Sequence, residues 1–513
     1  MPNHTTHSAR IPLVCYEIFV RSFCDSNRDG IGDLNGITSK LDYLQELGIE
    51  AIWLSPIQPS PSYHKYDVTD YYGIDREYGT LDDFKNLLAE VHKRGMALYM
   101  DLVINHTSSQ HEWFKQARKD PDSQYRQYYW WMNPDKIEAL GVAEREVTDD
   151  AHVIYPWHSI KGDAQKYYAM FWKEMPDLNY DYPPLRDEVY KIVRYWLREI
   201  GVDGFRLDAA RHIYPTWLKE KNLAFWEEFG KVAEEAKPNA YTVGEVWAKA
   251  DEVAPYFKGL KANFHFDLST AIQKMIKTKR DTGIVHALMH DYSLFGTHNP
   301  NFIDATMITN HDQVRIGSIA HGSIAQMKLA AAILLTLPGQ PYIYYGEEIG
   351  MLGIKPDEHI REPFLWTDHR NDPQRALWQK PVYSRRRSVR SVSQQIGDPD
   401  SLLNHYKSLI SLRKTFPSLG QVLHPNLQPA LPHQSHRKYI LAYYRPNLTE
   451  PFLIIHNLSD KNRKVVLDDE AKRFEHIVFQ SNGDSEFHPT YLVLPPFGSI
   501  ILSGNEVNGG IIQ

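Results

Sequence analysis

The stretch DEVYKIVRYWLREIGVDGFRLDA, residues 187–209, sets the pattern that the rest of the chain repeats. Val189, Ile192, Val193, Trp196, Leu197 and Ile200 recur at the spacing of one helix face. They feed GVDGFRLDA, a short run that reads as a strand. Side chains alternate along a strand, so Phe205 and Leu207 share one face and Arg206 and Asp208 the other. If that second face points inward, each charge needs a partner or a task, because unpaired buried charge is very costly.

The alternation runs in both directions. LVCYEIFV (13–20) leads to LDYLQELG, EAIWLSP (50–56) to LDDFKNLLAEVHKRG, and MALYMDLVINH (96–106) is a third strand. After 187–209 come helix LAFWEEFGKVAEEA, strand AYTVGEV, strand FHFDL with helix TAIQKMI close by, and strand FIDATMITNH (302–311). Helix AQMKLAAAILLTL, strand PYIYYGEE (341–348) and helix LLNHYKSLISLRK close the series. Eight strand–helix units over roughly 410 residues predict an α/β fold, a TIM barrel rather than an open doubly wound sheet. No Gly-rich phosphate fingerprint follows the first strand, which weakens a dinucleotide-binding reading.

Two stretches break the period. Residues 107–184 are rich in Trp, Tyr, Asp and Pro without helical spacing, and read as a small domain inserted after the third strand. From about 423, short apolar runs such as KYILAYYR, PFLIIHNL and HIVFQS alternate with turn residues, predicting a C-terminal antiparallel β-sandwich. The expected domains are therefore 1–106 and 185–422 for the barrel, 107–184 for the insertion and 423–513 for the sandwich.

Composition narrows the partners. At 42% hydrophobic and 24% charged the chain of 513 residues reads as a soluble globular protein, and its net charge of -7 argues against a nucleic-acid partner. LAAAILLTL (329–337) is too short for a membrane span, which needs about 20 residues. MPNHTTHSARIPLVCYEIF lacks a continuous apolar core and a cleavage site, so the expectation is a cytoplasmic protein or the mature form of a secreted one, and a monomer. Cys15 and Cys24 are expected as buried thiols. The basic run YSRRRSVRSVSQQ (383–395) reads as a solvated rim loop.

In a TIM barrel the polar residues at the C-terminal ends of the strands build the site. Four ends are loaded: Asp101, Asn105 and His106 in DLVINH, Arg206 and Asp208 in GFRLDA, Glu245 in GEVW, and His311 and Asp312 in TNHD. Glycoside cleavage needs one protonated and one ionised carboxyl, and Arg206 can pair its charge with Asp208 on the same strand face. A metal-assisted hydrolase or enolase-type site also fits such a carboxylate cluster.

DLVINH, GFRLDAARH, GEVW and TNHD resemble, in order, four signature segments of the α-amylase family of glycoside hydrolases, and MPDLN (175–179) is similar to a fifth. The resemblance implies Asp208 as nucleophile, Glu245 as general acid/base and Asp312 as transition-state stabiliser in a retaining double displacement. It further implies that Arg206 orients Asp208, that His106 and His311 bind sugar hydroxyls, and that Tyr66 in YHKYD stacks on the sugar at the cleavage point. Arg211 and His212 resemble a basic residue plus His that hold the leaving-group side, with Arg in place of the family's Lys. REPFLW, with Arg361, looks like a segment that in exo-acting glucosidases pairs with an Asp to wall off the pocket, and Tyr63 stands where that Asp would be. Tyr63, Ala209 and MPDLN together favour an endo-acting α-amylase on the α-1,4 bonds of starch and maltooligosaccharides. An α-glucosidase, a cyclomaltodextrinase, a trehalose-forming transglycosylase and a non-catalytic carbohydrate-binding homologue stand as alternatives.

A second constellation is DSNRDGIGD (25–33). Asp25, Asn27 and Asp29 have the 1-3-5 spacing of a calcium loop, Gly30 permits the turn, Ile31 offers a carbonyl and Asp33 completes the set. The twelfth position is Gly36 rather than Glu, so this is not an EF-hand. The stretch is similar to the structural calcium loop of some α-amylase family members; an Asx-rich turn without metal is the alternative.

Overall fold

Eight parallel strands close into a barrel in the computed structural model, which describes residues 11–142, 146–147, 153–431 and 437–505. They are β1 (Cys15–Ile18), β2 (Ala51–Leu54), β3 (Ala97–Leu102), β4 (Gly204–Leu207), β5 (Tyr241–Gly244), β6 (Ala262–Phe264), β7 (Ile303–Met307) and β8 (Gln340–Tyr344). Their order around the barrel follows the chain, with β8 closing on β1. Residues 1–10, the first part of the stretch on which the expectation about a leader rests, lie outside the described residues. Among the described residues no helix is long and apolar enough to cross a membrane, and Cys15 and Cys24 are free, buried thiols.

The chain forms two compact units, Met1–Ile52 with Arg94–Met96 and His265–Gln513, and Trp53–Lys93 with Ala97–Phe264. In the second, the helix Pro183–Arg194 continues as a π-helical stretch Tyr195–Ile200 and buries Val189, Ile192, Val193, Trp196 and Leu197, the face read from the sequence. Gly201, in left-handed backbone at φ 97°, turns the chain into β4. Gly204 opens that strand because a Cβ there would lie 2.1 Å from the Tyr241 carbonyl oxygen of β5. The insertion after β3 carries a small antiparallel sheet of Trp131–Met132, Lys166–Tyr168 and Trp157–Ser159, with Met132, Ile137, Trp157 and Met170 in its core.

In the first unit the helix Ile324–Thr336, capped by Ser323, is apolar almost all round and correspondingly buried. Beyond it lies the C-terminal β domain, with a five-stranded and a three-stranded antiparallel sheet. Leu453, Ile455, Ile500 and Leu502 of one sheet share a core with Val465, Leu492 and Leu494 of the other, as a sandwich requires.

Three local expectations are corrected. The sixth strand is Ala262–Phe264 rather than FHFDL, because Phe266, Ile272, Met275 and Ile276 already bury one face of the helix Phe266–Thr278. The helix Ile284–His298 was not anticipated; His286, His290 and Asp291 interrupt its apolar spacing, yet Ile284, Leu288, Tyr292 and Phe295 are buried. Helices Glu112–Lys119 and Pro134–Ala139 lie in the insertion read as irregular, each only about two turns long.

Candidate active site

Arg206 organises the polar cluster of the second unit. Parallel pairing sets it beside Asp101 of β3 and Val243 of β5. Its side chain is 1% exposed, and its Nη1 lies 2.9 Å from Asp101 Oδ1 and 2.5 Å from Asp208 Oδ1. Nη2 lies 2.7 Å from Glu245 Oε1. The inward charges of GFRLDA are thus partnered: burial works against the guanidinium, but Asp101, Glu245 and Asp208 hold its pKa well above the usual value. Trp53 and Tyr66 present their rings to the cation at 5.2 and 5.6 Å.

Past the strand end the backbone turns sharply. Ala209 sits in left-handed conformation at φ 45°, and its N–H donates to Glu245 Oε2 at 3.0 Å. Trp226 Nε1 donates to the Ala210 carbonyl at 2.7 Å, and Asn222 Nδ2 to that of Arg211 at 2.6 Å, which locks the turn. Arg211 reaches Glu252 at 2.9 Å on the surface.

Tyr66 rides on the loop after β2, anchored by the buried Lys65, whose Nζ lies 2.9 Å from Asp75 and 2.7 Å from Glu77. Its hydroxyl donates to Asp101 Oδ2 at 3.0 Å. His106 Nε2 lies 3.1 Å from the Tyr66 carbonyl, and burial, only partly offset by Asp208, lowers its pKa and keeps the ring neutral. MPDLN explains its companionship with DLVINH: Leu178 N–H donates to the Asn105 carbonyl at 3.0 Å and Thr107 N–H to that of Pro176 at 3.2 Å. Phe171, 37% exposed, lies between the rings of His106 and His212, 5.6 Å from each.

The first unit carries His311, Asp312 and Arg361. Asp312 is gripped on both oxygens: His311 Nε2 lies 3.1 Å from Oδ2, and Arg361 Nη2 donates to Oδ1 at 2.7 Å. Arg361 also reaches Asp357 at 3.3 Å and the His311 carbonyl at 3.0 Å. His311 Nδ1 lies 2.6 Å from Glu17 Oε1 of β1.

The alpha-amylase catalytic-domain model matches residues 17–421, and that of the alpha-amylase SusG C-terminal domain matches 440–501. The chain belongs to the alpha-amylase family. Alpha-amylase 3 of Dictyoglomus thermophilum is 42% identical over 95% of this chain and 92% of its own length. The 4-alpha-glucanotransferase of Thermotoga maritima is 35% identical over 78% of this chain and 87% of its own. The crystal structure of an alpha-amylase from H. orenii superposes with a TM-score of 0.85 at 39% identity, covering 96% of this chain and 99% of that one. The protein is thus a glycoside hydrolase of the alpha-amylase family, and its α-glucan substrates follow from that membership.

In this alpha-amylase family chain the loop 25–33 has the all-oxygen donor set that calcium takes. Asp25 Oδ1 accepts the N–H groups of Asn27 and Arg28, and its Oδ2 that of Gly30. Asp29 Oδ1 accepts the Ile31 N–H at 2.8 Å. Asp33 also caps the helix Leu34–Thr38 through the Gly36 N–H and binds Ser26. A Cβ on Gly36 would lie 2.0 Å from the Cys24 carbonyl oxygen, which is why no Glu can stand there. Among the described residues no three His, Cys, Asp or Glu side chains are gathered as a metal centre.

The structure brings three further residues, Asp101, Phe171 and Glu17, to the predicted ones. Asp101 was read only as polar strand-end residue, Phe171 only as part of an aromatic-rich insertion, and Glu17 not at all. An acid inside the apolar run LVCYEIFV was the available signal for Glu17.

Proposed function

We propose that this enzyme hydrolyses internal α-1,4 bonds of starch and maltooligosaccharides by double displacement, with Asp208 as nucleophile, Glu245 as general acid/base and Asp312 as stabiliser of the transition state. The observation that carries the reading is the buried fork of Arg206, which holds Asp208 on one terminal nitrogen and Glu245 on the other. Carboxyls held by one guanidinium are near neighbours, in keeping with the about 5–5.5 Å of retaining pairs rather than the about 6.5–9.5 Å of inverting ones. In this reading Tyr66 stacks on the sugar at the cleavage point, His106 and His311 bind its hydroxyls, Arg211 and His212 hold the leaving side, and Arg361 acts chiefly through Asp312. Tyr63 supports endo action, Ala209 supports α-1,4 bonds, and MPDLN supports the amylase group.

Glu245→Gln tests the assignment on starch and maltooligosaccharides, with product stereochemistry followed by NMR. Turnover is expected to fall at least about 10³-fold, since the acid is lost. Undiminished turnover overturns the assignment, inverted product overturns double displacement, and release of glucose alone from chain ends overturns endo action. Because a 4-alpha-glucanotransferase is among the relatives, products longer than the substrate would move the reading from hydrolysis to transfer.

A structural calcium ion belongs to the same reading. Asp25, Asn27, Asp29, the Ile31 carbonyl and Asp33 would hold it, and it would stiffen the loop after β1 without entering the reaction. Chelator is expected to lower the thermal midpoint of the wild type but not of Asp29→Ala. Equal midpoints with and without chelator return the loop to an Asx-rich turn.

A further inference from the structure

Glu17 has no role in the reaction as described, yet it is an acid 2% exposed in the body of a barrel strand. Its register partner on β8 is Tyr344. Among the described residues it pairs with the ring of His311, itself 1% exposed, at 2.6 Å. The opposite ring nitrogen of His311 lies 3.1 Å from Asp312 Oδ2.

An imidazole between two ionised carboxylates favours one proton count. The neutral ring has one N–H and one lone pair, so one of its nitrogens would aim a lone pair at an anion. Only the imidazolium donates to both. We propose that Glu17 is a positioning residue for the reaction: it holds His311 as a doubly protonated ring, and that ring together with Arg361 fixes and charge-balances Asp312. The inference rests on the role given to Asp312 above.

The surroundings agree. Burial opposes the charged ring, but Asp312 and Glu17 outweigh it and raise the pKa of His311, with Arg361 acting the other way. The charged groups facing the ring are thus Glu17 from β1, Asp312 beside it and Arg361 from the segment after β8, with Asp357 behind Arg361. Remove the charge of Glu17 and two cations on Asp312 become one.

The test compares wild type, Glu17→Gln, His311→Gln and the double variant on a 4-nitrophenyl maltooligosaccharide, with kcat and KM measured from pH 5 to 9. Glu17→Gln is expected to lower kcat about tenfold or more at pH 8, with less effect at pH 5.5, because its alkaline limb moves down by about one pH unit or more. In the His311→Gln background the same change is expected to cost less than about twofold, since a residue acting through His311 has nothing left to act on. The double variant also places two neutral amides opposite one another, so it keeps the question open to measurement if Glu17→Gln alone does not fold. A pH profile of unchanged shape in folded Glu17→Gln, or a further tenfold loss in the double variant, overturns the inference. Glu245→Gln, measured alongside, separates the cases: if it retains turnover the mechanism itself fails, whereas if it is inactive and Glu17→Gln keeps the wild-type profile only the role of Glu17 fails.

Discussion

Ala209 holds left-handed backbone at φ 45° without being glycine, directly after Asp208. Such backbone costs an ordinary residue about 1–3 kcal/mol and persists where the surroundings over-determine it. Here the return is the N–H bond to Glu245 Oε2, which ties the turn after β4 to the end of β5. Ala209→Gly is expected to fold at least as stably as wild type. Ala209→Val, whose branched Cβ is poorly tolerated at positive φ, is expected to lose about 1–3 kcal/mol in denaturant unfolding and to lower kcat. Equal stability of the Val variant would mean that the turn relaxes freely and does not fix Glu245. Much at this scale was legible in the sequence, because alternation along GFRLDA dictates which side chains share a face. Asp101 escaped a role because the Asp101–Arg206 contact depends on strand register, and register is not written in either strand alone. Phe171 and Glu17 escaped for the same reason: each acquires its neighbours only when distant segments meet.

At the scale of elements, the turn after β8 carries a pair of acids, Glu347 and Glu348, which the sequence showed only as a strand terminus. Glu348 Oε1 accepts from the Tyr16 and Tyr43 hydroxyls at 2.8 and 2.6 Å, and Glu347 Oε1 accepts from Tyr406 at 2.8 Å. Burial, against the hydrogen bonds of Tyr406 and Thr309, pushes Glu347 up to about 8. Unfolded, the same carboxyl ionises near its ordinary 4.5, so between these values the folded state keeps a proton that the unfolded chain has released. Its contribution to stability is therefore full below about 4.5 and is lost as pH rises to about 8. Glu347→Gln, neutral at every pH, is expected to flatten the fall in stability between pH 5 and 8 by a few kcal/mol, read from urea unfolding at each pH. An identical slope in both proteins would show that Glu347 does not titrate there. The elements 183–200 and 324–336 were legible for the opposite reason: a continuous apolar face in the first and an unbroken apolar run in the second need no distant partner to be recognised. The helix 284–298 has that face broken by histidines and an aspartate, and Asp291 finds its buried partner in His265, 3.4 Å away.

At the scale of the molecule, the alternation predicted a barrel followed by a sandwich, but composition says nothing of how the C-terminal sheets are fastened to the helices of their own compact unit. Two arginines do it. The helix 324–336 ends with carbonyls that have no partner within the helix, as every helix does. Arg413, from the helix Leu402–Thr415, donates to the carbonyls of Leu335, Leu337 and Gly339 at 2.7–2.9 Å. Arg445, the last residue of the strand Ile440–Arg445 in the C-terminal domain, donates to Thr336 at 2.8 Å and to Ser418 at 2.7 Å. Both guanidiniums are 1% exposed and sit at the negative end of the helix dipole, where a cation is favoured. Arg445→Met keeps the apolar stem but leaves two buried carbonyls without donors, at about 1–3 kcal/mol each. The expected result is a thermal midpoint lower by several degrees and faster heat inactivation, with kcat at 25 °C unchanged because no reacting group is touched. Arg445→Lys is expected to restore little, since a single ammonium does not reproduce the planar fork that reaches two carbonyls. If Met or Lys at 445 melts with the wild type, the sandwich is held by its apolar contacts alone and the arginine clamp contributes nothing to stability.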